Sequence, residues 1–99
     1  MNNKFLSYLG LSMRAGKLVT GDESVLKEVR SGEAKLVVIA EDASDNTKKK
    51  FRDKCSYYNV PILEVFSRAE LGASIGKAER VVIGVTDTGF AQMLQKCQV

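Results

Sequence analysis

The chain has 99 residues, 44% of them hydrophobic and 27% charged, a composition that suits one folded globular domain with a modest core and excludes a disordered tail. Fifteen Lys and Arg stand against twelve Asp and Glu, and the formal net charge of +3 allows a basic face but not a polybasic arm. Histidine is absent and the two cysteines, Cys55 and Cys97, are far apart, which excludes a histidine-based catalytic triad and a structural zinc site; two lone thiols suit a reducing cytoplasm.

At the N-terminus, Phe5, Leu6, Leu9 and Met13 recur at helical spacing and predict an amphipathic first helix ending near Gly16. Ser7, Gly10, Ser12 and Arg14 interrupt the apolar run that a signal peptide would need, and no stretch is long enough to span a bilayer. The segment Lys17 to Asp42 then reads as a short extended piece, a glycine entry at Gly21, an amphipathic helix, a glycine exit at Gly32 and a buried strand. A helix that starts at a glycine offers unpaired backbone amides and a positive dipole end with no Cβ in the way, a place for anionic or edge-polar ligands. Thr20 and Glu23 stand three apart, so Glu23 has two readings: a capping-box partner of Thr20, or a ligand contact.

Leu36 to Ala40 and Val81 to Val85 are nearly continuous apolar runs, as central strands covered on both faces require, and Pro61 to Phe66 adds a third extended segment. Ser44 caps a helix in which Thr47, Phe51, Cys55 and Tyr58 line one side and which Asn59 and Pro61 stop. Ser67 to Glu70 is a capping box opening a short helix that Gly76 ends, and Asp87 caps a last helix carrying Phe90, Met93, Leu94 and Cys97 on one face. This alternation predicts a three-layer α/β/α sandwich with a small, roughly four-stranded mixed sheet, spanning residues 1–99 as a single domain.

Two apparent motifs carry less than they suggest. Gly72 to Lys77 resembles a phosphate-binding loop, but it is one residue short, has Ala78 where Ser or Thr would hold magnesium, and precedes a strand; a helix ended by a glycine accounts for it. Lys48, Lys49, Lys50, Arg52 and Lys54 fill the polar side of the third helix, either as a solvated face or as phosphate contacts, with no aromatic residue interleaved on that side for stacking. The carboxylate pairs Asp22-Glu23 and Glu41-Asp42 lack the further ligands or base partners that metal binding or catalysis needs.

Gly16 to Gly21, the following helix with Lys27 and Gly32, the strand ending Ala40-Glu41-Asp42-Ala43, Val60-Pro61 with Ser67, Glu70-Leu71-Gly72 and Gly76, and the strand VVIGVTD together resemble the kink-turn-binding large-subunit ribosomal protein family, the "seven-A-e" family, in its small bacterial form. The resemblance covers essentially the whole chain. It implies an α/β/α sandwich that binds structured RNA, a kink-turn or ribosomal RNA, at the glycine-started helix and at the loop after the third strand. Position by position, Gly21 matches the family's glycine, Lys27 its lysine within the helix, and Lys17 the basic residue ahead of the glycine. Glu23-Ser24, preceded by Asp22, stands where the family commonly has Asn-Glu against the G·A edges. Asparagine both donates and accepts, whereas an ionised glutamate only accepts, so selectivity is expected to shift. Val65, Phe66, Ser67 and Arg68 match the segment that closes over the turned-out base; Phe66 is either a stacking platform or a core aromatic at a strand end.

These readings converge on a non-catalytic, cytoplasmic RNA-binding protein of ribosomal-protein type, a monomer with no cofactor, no metal and no membrane contact. Gly21, Asp22, Glu23, Ser24 and Lys27 are expected at the bases, Arg14, Lys17 and Arg68 nearer the phosphates, and Val65 and Phe66 beneath the turned-out nucleotide. The alternative is a protein-binding adaptor that keeps the fold with a drifted RNA surface. An enzyme, in the form of a small-molecule phosphate site at Gly21, is the weakest option because no nucleophile has a partner base.

Overall fold

The computed structural model describes residues 3–97. Among them the elements run α1 (Lys4–Arg14), β1 (Leu18–Thr20), α2 (Asp22–Ser31), β2 (Leu36–Ile39), α3 (Asp45–Tyr58), β3 (Ile62–Glu64), α4 (Arg68–Ser74), β4 (Val82–Val85) and α5 (Thr88–Lys96). The strands form one mixed sheet in the order β1-β4-β2-β3, with β1 antiparallel to β4, β4 antiparallel to β2, and β2 parallel to β3. The two continuous apolar runs are the two central strands, and every residue of both is buried.

Alternation along these strands divides the core into two layers. Leu36, Val38, Ala40, Ile83 and Val85 meet Phe5 and Leu9 of α1, Leu71 of α4, and Ala91 and Leu94 of α5. Val37, Ile39 and Val82 point the other way, to Val25, Leu26 and Val29 of α2 and Phe51 and Cys55 of α3. A strand residue's side chain changes face at each step, so one sheet feeds both layers, as the expected three-layer sandwich requires. Each large apolar side chain fully buried in this way contributes about 1.5–3 kcal/mol of transfer free energy.

Helix ends follow their signals. Asn3 accepts from the Phe5 amide at 2.9 Å, Ser44 from Thr47 at 3.2 Å and Asp87 from Phe90 at 2.9 Å, and Ser67 and Glu70 close a reciprocal capping box. Gly32 and Asn59 end α2 and α3 in the left-handed conformation. Gly72, in the false phosphate loop, serves packing: a Cβ there would lie 2.0 Å from the Ala78 carbonyl oxygen, so α4 sits directly against the chain leading into β4.

Three details differ from the sequence expectation. Tyr58 does not join Phe51 and Cys55 inside; it is 38% exposed and meets the more exposed Tyr57 edge-on at 4.9 Å, because the last turn of α3 runs past the core. On α5 the buried positions are Ala91 and Leu94, while Met93 is 37% exposed. Thr20 ends β1, the N-cap of α2 is Gly21, and no side chain caps this helix, so of the two readings of Glu23 the capping box with Thr20 is the one that does not form.

Candidate functional site

The strand directions bring four chain segments to one end of the sheet. There β1 finishes at Thr20, β2 at Ile39 and β3 at Glu64, and β4 begins at Val82. Backbone hydrogen bonds stitch the segments that follow or precede them into a continuous rim. The Gly21 amide donates to Val82 O at 3.4 Å, Ala40 to Val81 O at 2.9 Å, Glu41 to Phe66 O at 2.7 Å, and Arg80 to Arg68 O at 3.1 Å.

Gly21 forms the corner of this rim. Its backbone lies at φ 97°, ψ 146°, a region close to glycine-only, so the residue is required by conformation rather than by crowding; an added Cβ would find nothing within 4 Å. The first turn of α2 continues from it, and the amides of Asp22, Glu23 and Ser24 receive no side-chain cap. Gly84 of β4 lets α2 lie close to the sheet: a Cβ there would come 3.0 Å from Val19 Cγ2 and 3.3 Å from Val25 Cγ1. A cleft of about 400 Å³ opens beside the corner, with Thr20, Gly21 and Asp22 on one wall and Glu79 to Val82 on the other.

Of the expected base-facing residues, Gly21, Glu23, Ser24 and Lys27 are exposed on α2, and Glu23 and Lys27, four apart, share one side of it. Asp22 is half-buried and paired: Lys50 Nζ of α3 donates to its Oδ2 at 3.0 Å. The basic residues expected nearby divide. Lys17 precedes β1, and its carbonyl accepts from the Thr86 amide at the opposite end of the sheet, which puts it roughly 13 Å from Gly21 at about 3.3 Å per strand residue. Arg14 belongs to the same far end, in the last turn of α1. Neither is brought to the corner by the fold.

Val65, Phe66 and Arg68 do lie on the rim, but three strand positions away, at about 4.8 Å per strand roughly 14 Å from Gly21. Phe66 has φ 65°, unusual for a bulky residue, and its ring packs on Phe5 at 5.6 Å and against the α1 layer, so packing favours the core role over a free stacking platform. Arg68 donates its amide to Asp42 Oδ1 at 2.9 Å and sets its guanidinium beside the same carboxylate, Nε to Oδ1 3.5 Å, and on the Asp42 carbonyl oxygen. A phosphate reaching Arg68 would compete with Asp42.

Between these two patches stands a segment that was not among the expected site residues, Glu79 to Val82. Arg80 turns its guanidinium back onto the Glu79 carbonyl oxygen at 2.9 Å and lines the cleft facing Gly21. Only the pairing of β1 with β4 brings it there, and no local pattern announces that pairing. Among the described residues no cluster of acidic or cysteine side chains could hold a metal ion, and no helix is long and apolar enough to cross a membrane.

Comparison with known proteins agrees with this architecture. A profile of the family described as "Ribosomal protein L7Ae/L30e/S12e/Gadd45 family" matches residues 3–95. The chain is 59% identical over 86 residues to "RNA-binding protein YlxQ" of Bacillus subtilis, covering 87% of this chain and 86% of that one. It is 32% identical over 97 residues to "Large ribosomal subunit protein eL8" of Thermoplasma volcanium, covering 97% of this chain and 80% of the other. A solved structure of a Bacillus halodurans protein superposes with a TM-score of 0.95 at 49% identity, over 97% of each chain.

Proposed function

Because the chain belongs to the ribosomal protein L7Ae/L30e/S12e/Gadd45 family, we propose that it is a non-catalytic RNA-binding protein that recognises a kink-turn, or a comparable internal loop in double-stranded RNA, at the Gly21 corner. The observation that carries this reading is the open first turn of α2: amides with no side-chain cap, entered through a glycine with free space around it. In a regular A-form duplex such a helix end cannot reach the bases, because the major groove is deep and narrow; a kinked internal loop opens the base edges to it.

Roles follow from donors and acceptors. The amides of Asp22 to Ser24 donate to base oxygens and ring nitrogens, Glu23 accepts from exocyclic amino groups, and the Ser24 hydroxyl does either. Lys27, further along the same helix, takes a phosphate. Arg80 and Val81 close the cleft from the opposite wall, and the Val65 to Arg68 patch meets the turned-out nucleotide, with Phe66 fixing that loop through its ring on Phe5.

A titration tests this with two RNAs that differ only in whether the tandem G·A pairs are kept or replaced by Watson–Crick pairs, while amide shifts of residues 22–24 are followed by NMR. Tighter binding of the G·A form with shifts at those amides is expected. Equal affinity for both, with no shift at the corner, refutes the reading and favours the protein-binding adaptor.

A further inference from the structure

The corner leaves the basic run of α3 without a role, and the fold sorts that run into two flanks. Phe51 and Cys55, fully buried, mark the core side of the helix. On one flank Arg52 makes a two-point pair with Glu64 of β3, its Nη2 2.7 Å from Oε1, and Lys48 adds its field to the same carboxylate. On the other flank Lys50 reaches across to Asp22 at the start of α2, and the helical repeat puts Lys54 and Tyr57 on that same stripe, four and seven residues further on.

This second stripe begins at the RNA corner and leads away from it along about 10 Å of helix at 1.5 Å per residue. Among the described residues neither Lys54 nor Lys49, exposed on the outward side of the helix about 100° round from Lys50, has an ion-pair partner; Asp53, between them on that side, is the acid that partly offsets them. Tyr57 ends the stripe 78% exposed, the most exposed large apolar side chain among the described residues, ahead of Leu11, Tyr58 and Met93. Ammonium groups are compact point charges suited to phosphates, and a tyrosine hydroxyl is a common phosphate partner, whereas the one aromatic between the lysines, Phe51, is fully buried and cannot read bases. The chemistry is that of sequence-independent backbone binding.

We propose that Lys49, Lys50, Lys54 and Tyr57 of α3 form a second contact surface, which holds the phosphate backbone of the duplex arm leaving the distortion seated at Gly21. The proposal rests on the RNA reading of that corner. Lys50 is the joint between the two surfaces: bound to Asp22, it neutralises one carboxylate of the corner and opens the stripe that the arm follows.

The test uses the full chain and three RNAs with the same G·A internal loop, one with minimal arms and two in which one arm or the other is lengthened by a helical turn. Wild type is expected to bind one lengthened RNA more tightly than the minimal one. K49A/K54A should abolish that gain and flatten the slope of log Kd against log salt by about 1.4–1.8, two phosphate contacts at about 0.7–0.9 each, with binding of the minimal RNA retained. Y57A should lose part of the gain with the slope unchanged, since it removes no charge. No gain from either arm, an unaltered slope in K49A/K54A, or equal losses on minimal and lengthened RNA overturns the second surface while leaving the corner intact; failure of wild type to bind any of the RNAs overturns both.

Discussion

Alanine at position 21 would hold an L side chain at φ 97°, ψ 146°, where its Cβ meets no neighbouring atom but strains its own backbone. Residues forced into such regions cost of order 1–3 kcal/mol, and the cost is local because nothing has to move aside. For a chain of this size the urea m-value is about 1–3 kcal/mol/M, so a loss of ~2 kcal/mol lowers the midpoint by roughly 1 M, and the melting temperature falls by about 8–16 °C. Urea denaturation followed by circular dichroism reads this directly. The same variant should lose RNA affinity beyond what its unfolded fraction explains, since the strain is relieved by turning the first amides of α2 away from the ligand. Gly21→Ala unfolding at the wild-type midpoint and binding at wild-type affinity would refute the claim that this conformation is what the glycine provides.

Gly72→Ala is the contrasting case, because its Cβ would stand 2.0 Å from the Ala78 carbonyl oxygen; it should destabilise more than Gly21→Ala in the same denaturation series by forcing α4 off the chain that leads into β4. Lys27→Ala should weaken RNA binding and reduce the salt slope by about 0.7–0.9, as one lost phosphate contact requires, in titrations at several salt concentrations. Arg52 holds Glu64 below the usual carboxylate range through its hydrogen bonds, so the pair stabilises the fold above the unfolded-state pKa of Glu64 and loses that effect as pH falls through the depressed folded-state value; Arg52→Gln should therefore show a small deficit at neutral pH that closes in acid, measured by thermal melts from pH 7 down to pH 2. Burial pushes the Cys55 thiol up to about 11, so at pH 8 it should resist a thiol reagent in the native protein and react on unfolding, while the less buried Cys97 reacts first.

What the sequence discloses here is mostly local. Ser44, Ser67 and Asp87 announce helix starts because a cap bonds an amide three residues on, and runs such as LVVI announce central strands because both faces must be apolar. Gly21 was legible for the same reason, as a glycine just ahead of a helical repeat. Partnerships between distant segments were not. Lys17 is four residues from Gly21 in sequence and reads as its neighbour, yet an intervening strand extends the chain and carries it to the other end of the sheet. Glu79 to Val82 reaches the corner only through the antiparallel pairing of β1 with β4, and Lys50 reaches Asp22 across 28 residues because α2 and α3 share one layer. Phe66 had two readings of equal standing in sequence, and the approach of α1, which comes from the far end of the chain order, brings Phe5 against its ring.

Charge at the corner decides which part of an RNA it suits. The aligned peptides of α2 give its first turn a positive end worth about half an elementary charge, which in many proteins draws a phosphate. Here Asp22 and Glu23 occupy that turn, and Lys50 neutralises only the first of them, so the corner is left slightly negative. A phosphate gains little from entering it. A purine edge gains more, because it carries no net charge and presents oxygens or ring nitrogens to the free amides and amino hydrogens to the Glu23 carboxylate. Beyond Arg80 in the cleft, the attraction that any RNA-binding surface needs must then come from cations set back from the corner, which sit on the two helices of one layer: Lys27 on α2, and Lys49 and Lys54 on α3. Separating base reading from phosphate holding in this way means that added salt should weaken binding without erasing the preference for the G·A form, since the corner's hydrogen bonds are made to base edges that carry no net charge and depend on salt far less than the phosphate contacts do.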